Sequence, residues 1–170
     1  QLLTDTQLQL GRRLDYQKLK HDIEKVNQTF KKEGYELSFV SRTEFNAFNK
    51  TLTYYIAEVE IRQIKIEGNE NNDEFYYLRE LWVKPGEVYN LYRLRRDRFN
   101  LLRLGFVKFV SEPQVVPLER PDQVDVVYQV LEQKGNSTQF GLGYTTNKNK
   151  RFLFANFNLL NVLGWGETMQ

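Results

Sequence analysis

Gly86-Glu87-Val88-Tyr89-Asn90-Leu91-Tyr92-Arg93-Leu94-Arg95-Arg96-Asp97 repeats a frame already present near the start of the chain. Gly11 is followed by Asp15, Leu19 and Asp22 at the offsets at which Gly86 is followed by Asn90, Leu94 and Asp97. Such self-similarity is weighed first, because a missed repeat misassigns the whole fold. Downstream the match continues: Gly34-Tyr35 leads into Phe39-Val40-Ser41, and Gly105-Phe106 into Phe109-Val110-Ser111. The stretch from Leu19 to Gly34 is four residues longer than that from Leu94 to Gly105, about one helical turn, so the insertion preserves the buried face. Each copy then reaches an alternating run, residues 52–60 in the first and 124–132 in the second.

Local chemistry assigns the elements. Asp15 and Asn90 carry short side-chain oxygens that accept from backbone N–H groups of a first turn, so helices are predicted to begin there. Leu19, Ile23, Val26 and Phe30 recur at helical spacing in the first copy; Leu91, Leu94, Phe99, Leu101 and Leu102 do so less cleanly in the second. Gly34 and Gly105 stand where a left-handed residue would close each helix. Strands are predicted at Ile61, Ile64 and Ile66 before Gly68-Asn69, from Phe106 to Val110, and from Val124 to Val130. Phe75, Leu78 and Leu81 fit a short helix between the first two. The unit is strand, helix, helix, strand, strand, and the first copy begins without its opening strand.

After Lys134 the pattern changes. Phe140, Leu142 and Tyr144 alternate with Gln139, Gly141 and Gly143, and Asn147-Lys148-Asn149-Lys150 separates them from a second run, residues 151–160. That is a β-hairpin signal. Leu153, Ala155, Phe157 and Leu159 give this run one apolar face opposite a mixed one, which is also the pattern of a membrane barrel strand.

Composition bounds the function. The 170 residues are 41% hydrophobic, enough for one or two modest cores. Lysine and arginine number 24 against 22 acidic residues, too small an excess to argue for nucleic acid. With no cysteine and one histidine, His21, the chain offers neither disulfides nor a metal site. No nucleophile motif accompanies His21, which fits an exposed helical histidine, so no catalytic residue is assigned. Gly141 and Gly143 precede no helix and fail as a dinucleotide fingerprint, leaving no cofactor or small-molecule substrate. The Asn-x-Thr triplet at Asn27 sits on a helix and gives no support for glycosylation.

In order and spacing these residues resemble a family. Ile64-Lys65-Ile66-Glu67-Gly68-Asn69, Lys84-Pro85-Gly86-Glu87-Val88-Tyr89-Asn90, Leu101-Leu102-Arg103-Leu104-Gly105-Phe106 with Phe109-Val110, and residues 124–132 are similar to polypeptide-transport-associated (POTRA) modules. Phe140-Gly141-Leu142-Gly143-Tyr144-Thr145 and Asn161-Val162-Leu163-Gly164-Trp165-Gly166 resemble the start of the barrel in BamA-type outer-membrane assembly factors. The resemblance implies an α+β fold: tandem POTRA modules, each a three-stranded mixed sheet with two helices on one face, followed by the first strands of a membrane β-barrel. It divides the chain into a module lacking its first strand (residues 1–60), a last module (61–134) and two barrel strands (135–170).

The same resemblance implies a non-enzymatic protein on the periplasmic side of the outer membrane. Its partners would be unfolded outer-membrane clients, accessory assembly proteins and outer-membrane lipid. In the family the last strand of a module lies centrally, which leaves Phe106, Val107, Lys108, Phe109, Val110 and Ser111 on an edge that an extended client joins as an added strand. By side-chain alternation Phe106 and Phe109 are core residues, so the functional reading concerns their backbone. Thr138, Gln139, Phe140, Gly141, Leu142, Gly143, Tyr144 and Thr145 would be the first barrel strand, at a seam that opens towards the membrane. Gly141 and Gly143 either soften that strand or make room for a bend. Arg93, Arg95, Arg96, Arg98 and Arg103 face either solvent or an anionic lipid or acidic partner. Trp165 is either an interfacial aromatic or a turn-packing one. Two other functions share these features: a two-partner secretion or organelle import transporter of the same superfamily, and a soluble POTRA-like adaptor.

Overall fold

A computed structural model of the chain describes residue 8, residues 14–133 and the strands at residues 137–145, 150–160 and 168–169. The expected positions at Gly11, 147–149 and Asn161-Val162-Leu163-Gly164-Trp165-Gly166 lie outside the described residues.

The first copy opens with α1 (Tyr16–Lys32), capped by Asp15, whose carboxylate accepts from the Gln17 and Lys18 amides. It closes at Gly34, at φ +88°. The Tyr35 amide donates to the Phe30 carbonyl at 2.8 Å and the Gly34 amide to Lys31 at 3.1 Å, which satisfies the last carbonyls of the helix. Then β1 (Phe39–Asn46) and β2 (Thr51–Ala57) pair antiparallel, with a bulge between Val40 and Arg42.

In the second copy β3 (Glu60–Glu67) leads to α2 (Glu74–Leu78), α3 (Leu91–Leu102), β4 (Val107–Val110), β5 (Gln114–Pro117) and β6 (Gln123–Glu132). The longest of these strands, β6, is central. Along one side β3 pairs with it in parallel; along the other β4 pairs antiparallel with its C-terminal end and β5 with its N-terminal end. The sheet is therefore mixed, as expected, but it has a fourth strand. Val115 and Val116, flanked by Pro113 and Pro117, form β5 because the chain turns back at residues 118–122 to run beside β6.

Every buried residue of the main hydrophobic cluster lies between Val59 and Val130. From the sheet come Ile61, Ile64, Ile66, Val124, Val126, Tyr128 and Val130; Leu94 and Leu101 of α3 meet them, and the Tyr77 and Phe106 rings pack edge to face. The repeat extends to single hydrogen bonds. Asp97, fully buried within α3, accepts from the Val83 amide at 2.9 Å, and Asp22 of α1 accepts from the Leu8 amide at 3.1 Å, fourteen residues upstream in each case.

Three expectations need correction. Gly105 does not end α3 in a left-handed conformation: the positive-φ glycines among the described residues are Gly34, Gly68 and Gly86. The helix instead ends through Arg103 and Leu104, whose amides bond back three residues in a tightened last turn. Phe99 is exposed, because Leu94, Asp97 and Leu101 already fill the inward face of α3. Phe109 is 51% exposed rather than core. A bulge between Val107 and Phe109 interrupts the alternation, turning both Val107 and Val110 inward and leaving Lys108 and Phe109 outside.

The tail strands β7 (Ser137–Thr145), β8 (Lys150–Leu160) and β9 (Thr168–Met169) form a three-stranded antiparallel sheet, with Ser137 opposite Asn158 and Thr145 opposite Lys150. The two strands of the expected hairpin, residues 137–145 and 150–160, pair in this register.

Candidate functional site

The two margins of the β3–β6–β4 sheet differ in how far their backbone is already engaged. On the β3 side, the Ile61 amide donates to Glu87 and the Ile61 carbonyl accepts from Gly86. The Tyr89 amide reaches the Val59 carbonyl at 2.8 Å. Further along, the Ile66 amide donates to the Glu74 carboxylate at 2.9 Å. Loop and helix thus cover most of this margin.

On the opposite margin lies β4, where the predicted edge residues fall. Phe106, Val107 and Val110 are buried, Lys108 and Phe109 exposed, and Ser111 half-buried. The Ser111 amide bonds to the Gln129 carbonyl at 2.8 Å, so the polar groups of Val110, one residue earlier, point away from β6. The Arg98 guanidinium takes the Val110 carbonyl at 2.9 Å and the Ser111 carbonyl at 3.1 Å. Beside this edge, Lys108, Leu131, Glu132 and Gln133 line an open depression of about 380 Å³.

Of the five predicted arginines, Arg98 therefore holds the edge and also pairs with Glu112 at 3.5 Å. Arg95 binds the same carboxylate at 2.9 Å, and Arg93 binds Glu87. Arg96 lies over the Trp82 ring at 4.5 Å. Arg103, at the end of α3, is exposed.

Two carboxylates that hold this sheet together were not singled out in the sequence. Glu132 ends β6, 6% exposed, and accepts from the Asn71 amide and side chain, the Asn72 amide and side chain, and the Tyr77 hydroxyl at 2.7 Å. Burial would raise its pKa, but the bonds from Asn72, Tyr77 and Asn71 outweigh burial and hold the carboxyl below its ordinary value. Burial and the Glu132 carboxylate push the Tyr77 hydroxyl well up. Asp125, near the start of β6, is gripped by Arg62 through two hydrogen bonds and by Gln63 at 2.7 Å, with Lys65 at 3.8 Å; the Arg62 bonds keep its pKa low. An acid in an otherwise apolar alternating run is the sequence signal that marks both.

A family model described as POTRA, surface antigen variable number repeat, matches residues 59–133. The outer membrane protein assembly factor BamA of Nitratidesulfovibrio vulgaris is 30% identical over 119 residues, 66% of this chain and 15% of that protein. Residues 59–133 are a POTRA domain, and the chain is similar to BamA-type assembly factors.

Among solved structures, POTRA domains 1–3 of the periplasmic domain of Omp85 from Anabaena superpose with a TM-score of 0.65 at 23% identity, covering 73% of this chain and 54% of that one. BamA from Haemophilus ducreyi lacking POTRA domains 1–3 gives 0.58 at 23% identity, over 95% of this chain and 31% of that one. At these identities the likeness is one of fold. The chain spans about one seventh of the length of the BamA relative. The POTRA match ends at residue 133, one residue beyond Glu132, so the carboxylate hub closes the POTRA domain where the tail strands follow.

Proposed function

We propose that this POTRA region belongs to an outer-membrane assembly factor, on the periplasmic side of that membrane, and receives unfolded β-barrel clients by strand addition at β4. The likeness to a named assembly factor supports the general role, and the relative's role is not enzymatic. The single observation that carries the finer reading is the asymmetry of the sheet. The β3 margin is occupied by the Gly86–Tyr89 loop and Glu74, whereas on the β4 margin the described bonds are that of the Val107 amide to the Leu104 carbonyl and those of Arg98 to the Val110 and Ser111 carbonyls. Main-chain pairing supplies affinity with little sequence preference, as a receiver of many clients requires. Beyond Glu132, residues 137–145 begin an antiparallel sheet, read as the first strand of the barrel to which the client passes. The coverage of the tail by the BamA structure from Haemophilus ducreyi supports that reading of the fold.

Lys108 is exposed and sits at the bulge, so Lys108→Pro distorts the backbone of the edge strand without emptying the core. A synthetic peptide copying one barrel strand is expected to bind the unaltered chain and to bind Lys108→Pro about tenfold more weakly. Equal affinity in calorimetric titrations of the folded variant would remove β4 as the receiving edge.

A further inference from the structure

The outward face of α3 carries a pattern that strand addition does not use. Tyr92, Arg96, Phe99 and Arg103 stand at i, i+4, i+7 and i+11, within an arc of roughly 60°, directly opposite the buried Leu94, Asp97 and Leu101. A solvated helix face ordinarily carries short polar or mixed charged residues; this one alternates aromatic and guanidinium groups. Tyr92 is 52% exposed and Phe99 59%. Trp82, 65% exposed, widens the stripe from the side, its ring beneath Arg96. The flanking Arg93 and Arg95 are spent on Glu87 and Glu112. Among the described residues, Arg96 and Arg103 have no carboxylate partner.

We propose that this stripe docks an amphipathic helix of an acidic partner protein. The stripe is one helix wide and about 17 Å long, a shape that a second helix covers by packing along the same i, i+3, i+4, i+7 rows. Tyrosine, tryptophan and arginine are the side chains that concentrate binding energy at protein interfaces. Each free guanidinium presents a fork matched to a carboxylate, so the partner brings Asp or Glu at the rim of its own apolar seam. A membrane fits less well, because two uncompensated arginines alone hold anionic headgroups only weakly. The proposal does not depend on β4 as the client edge.

The test uses the full 170-residue chain and a designed helical peptide of roughly 20 residues, with leucine along one face and glutamate beside it. Its lysine-for-glutamate counterpart and vesicles of phosphatidylglycerol serve as the other probes. The glutamate peptide is expected to bind with an affinity that falls with salt, and the lysine peptide not at all. Arg96→Glu combined with Arg103→Glu is expected to weaken binding at least about tenfold with the melting temperature unchanged. Phe99→Ser does so without altering charge and serves if the double variant fails to fold. Equal binding of both peptides, or undiminished binding to Phe99→Ser, overturns the proposal. Capture by the vesicles with no binding of the glutamate peptide overturns it in favour of lipid. Self-association in sedimentation that Phe99→Ser abolishes, with no binding of the glutamate peptide, overturns it in favour of a second copy.

Discussion

Glu132 shows what one residue does at the end of a strand. Its carboxylate gathers five donors from the Asn71-Asn72 turn and Tyr77, so a charge that would be costly in a core is compensated by hydrogen bonds. Because its folded pKa lies below the ordinary 4.5, the unfolded chain takes up the proton first as pH falls. The stability it contributes is complete above pH 4.5 and is lost as pH falls through the folded value. Glu132→Gln is expected to cost about 2 kcal/mol at neutral pH, a difference that shrinks in acid. Urea unfolding at several pH values checks this; a difference constant across that range would refute the assignment. The residue was legible only in part. Alternation put position 132 in line with Val124, Val126, Tyr128 and Val130 on the core face, but its donors lie some sixty residues upstream, and no local pattern announces a partnership at that separation.

At the scale of elements, the structure turns on how helices and edges are finished. Gly34 ends α1, yet its carbonyl accepts the Leu91 amide at 2.9 Å, and the Asn90 side chain donates to the Glu33 carbonyl at 2.9 Å. The end of one module's helix thereby caps the start of the next module's. A methyl group at Gly34 would stand 2.8 Å from the Asn90 side-chain oxygen, at a φ that L residues resist. Gly34→Ala is expected to destabilise the chain by about 2 kcal/mol, seen as a lowered melting temperature. At the other margin Arg98 occupies the Val110 carbonyl, so Arg98→Ala is expected to strengthen binding of a barrel-strand peptide while costing about 1 kcal/mol of stability. Weaker binding by that variant would show that Arg98 takes part in docking rather than competing with it. Helix starts at Asp15 and Asn90 were legible because a cap is a local device. The outward turn of Phe109 was not, because a bulge is set by the partner strand, and Arg98's role depends on a reach across space from α3 to β4. Likewise β5 was missed: its four exposed residues show neither alternation nor an apolar run, and they are strand only because β6 runs alongside.

For the molecule as a whole, the repeat made the architecture readable: two copies of one frame predicted the helices and strands, and the family resemblance implied the central last strand. The hydrophobic cluster lies wholly between Val59 and Val130, with Leu37 packed against it from outside. Residues 59–133 alone are therefore expected to fold cooperatively, losing about 1–2 kcal/mol with the Gly34 and Glu33 caps. A single sigmoidal thermal transition of that fragment by circular dichroism is the check, and a broad, non-cooperative melt would mean that the core needs its neighbour. The Glu132 hub also has a mechanical consequence. Tension on the polypeptide beyond residue 133 enters the domain at the end of its central strand, where five bonds tie that strand to the turn before α2 and to Tyr77. A tug from the tail strands is thereby shared across the sheet instead of peeling away its last strand.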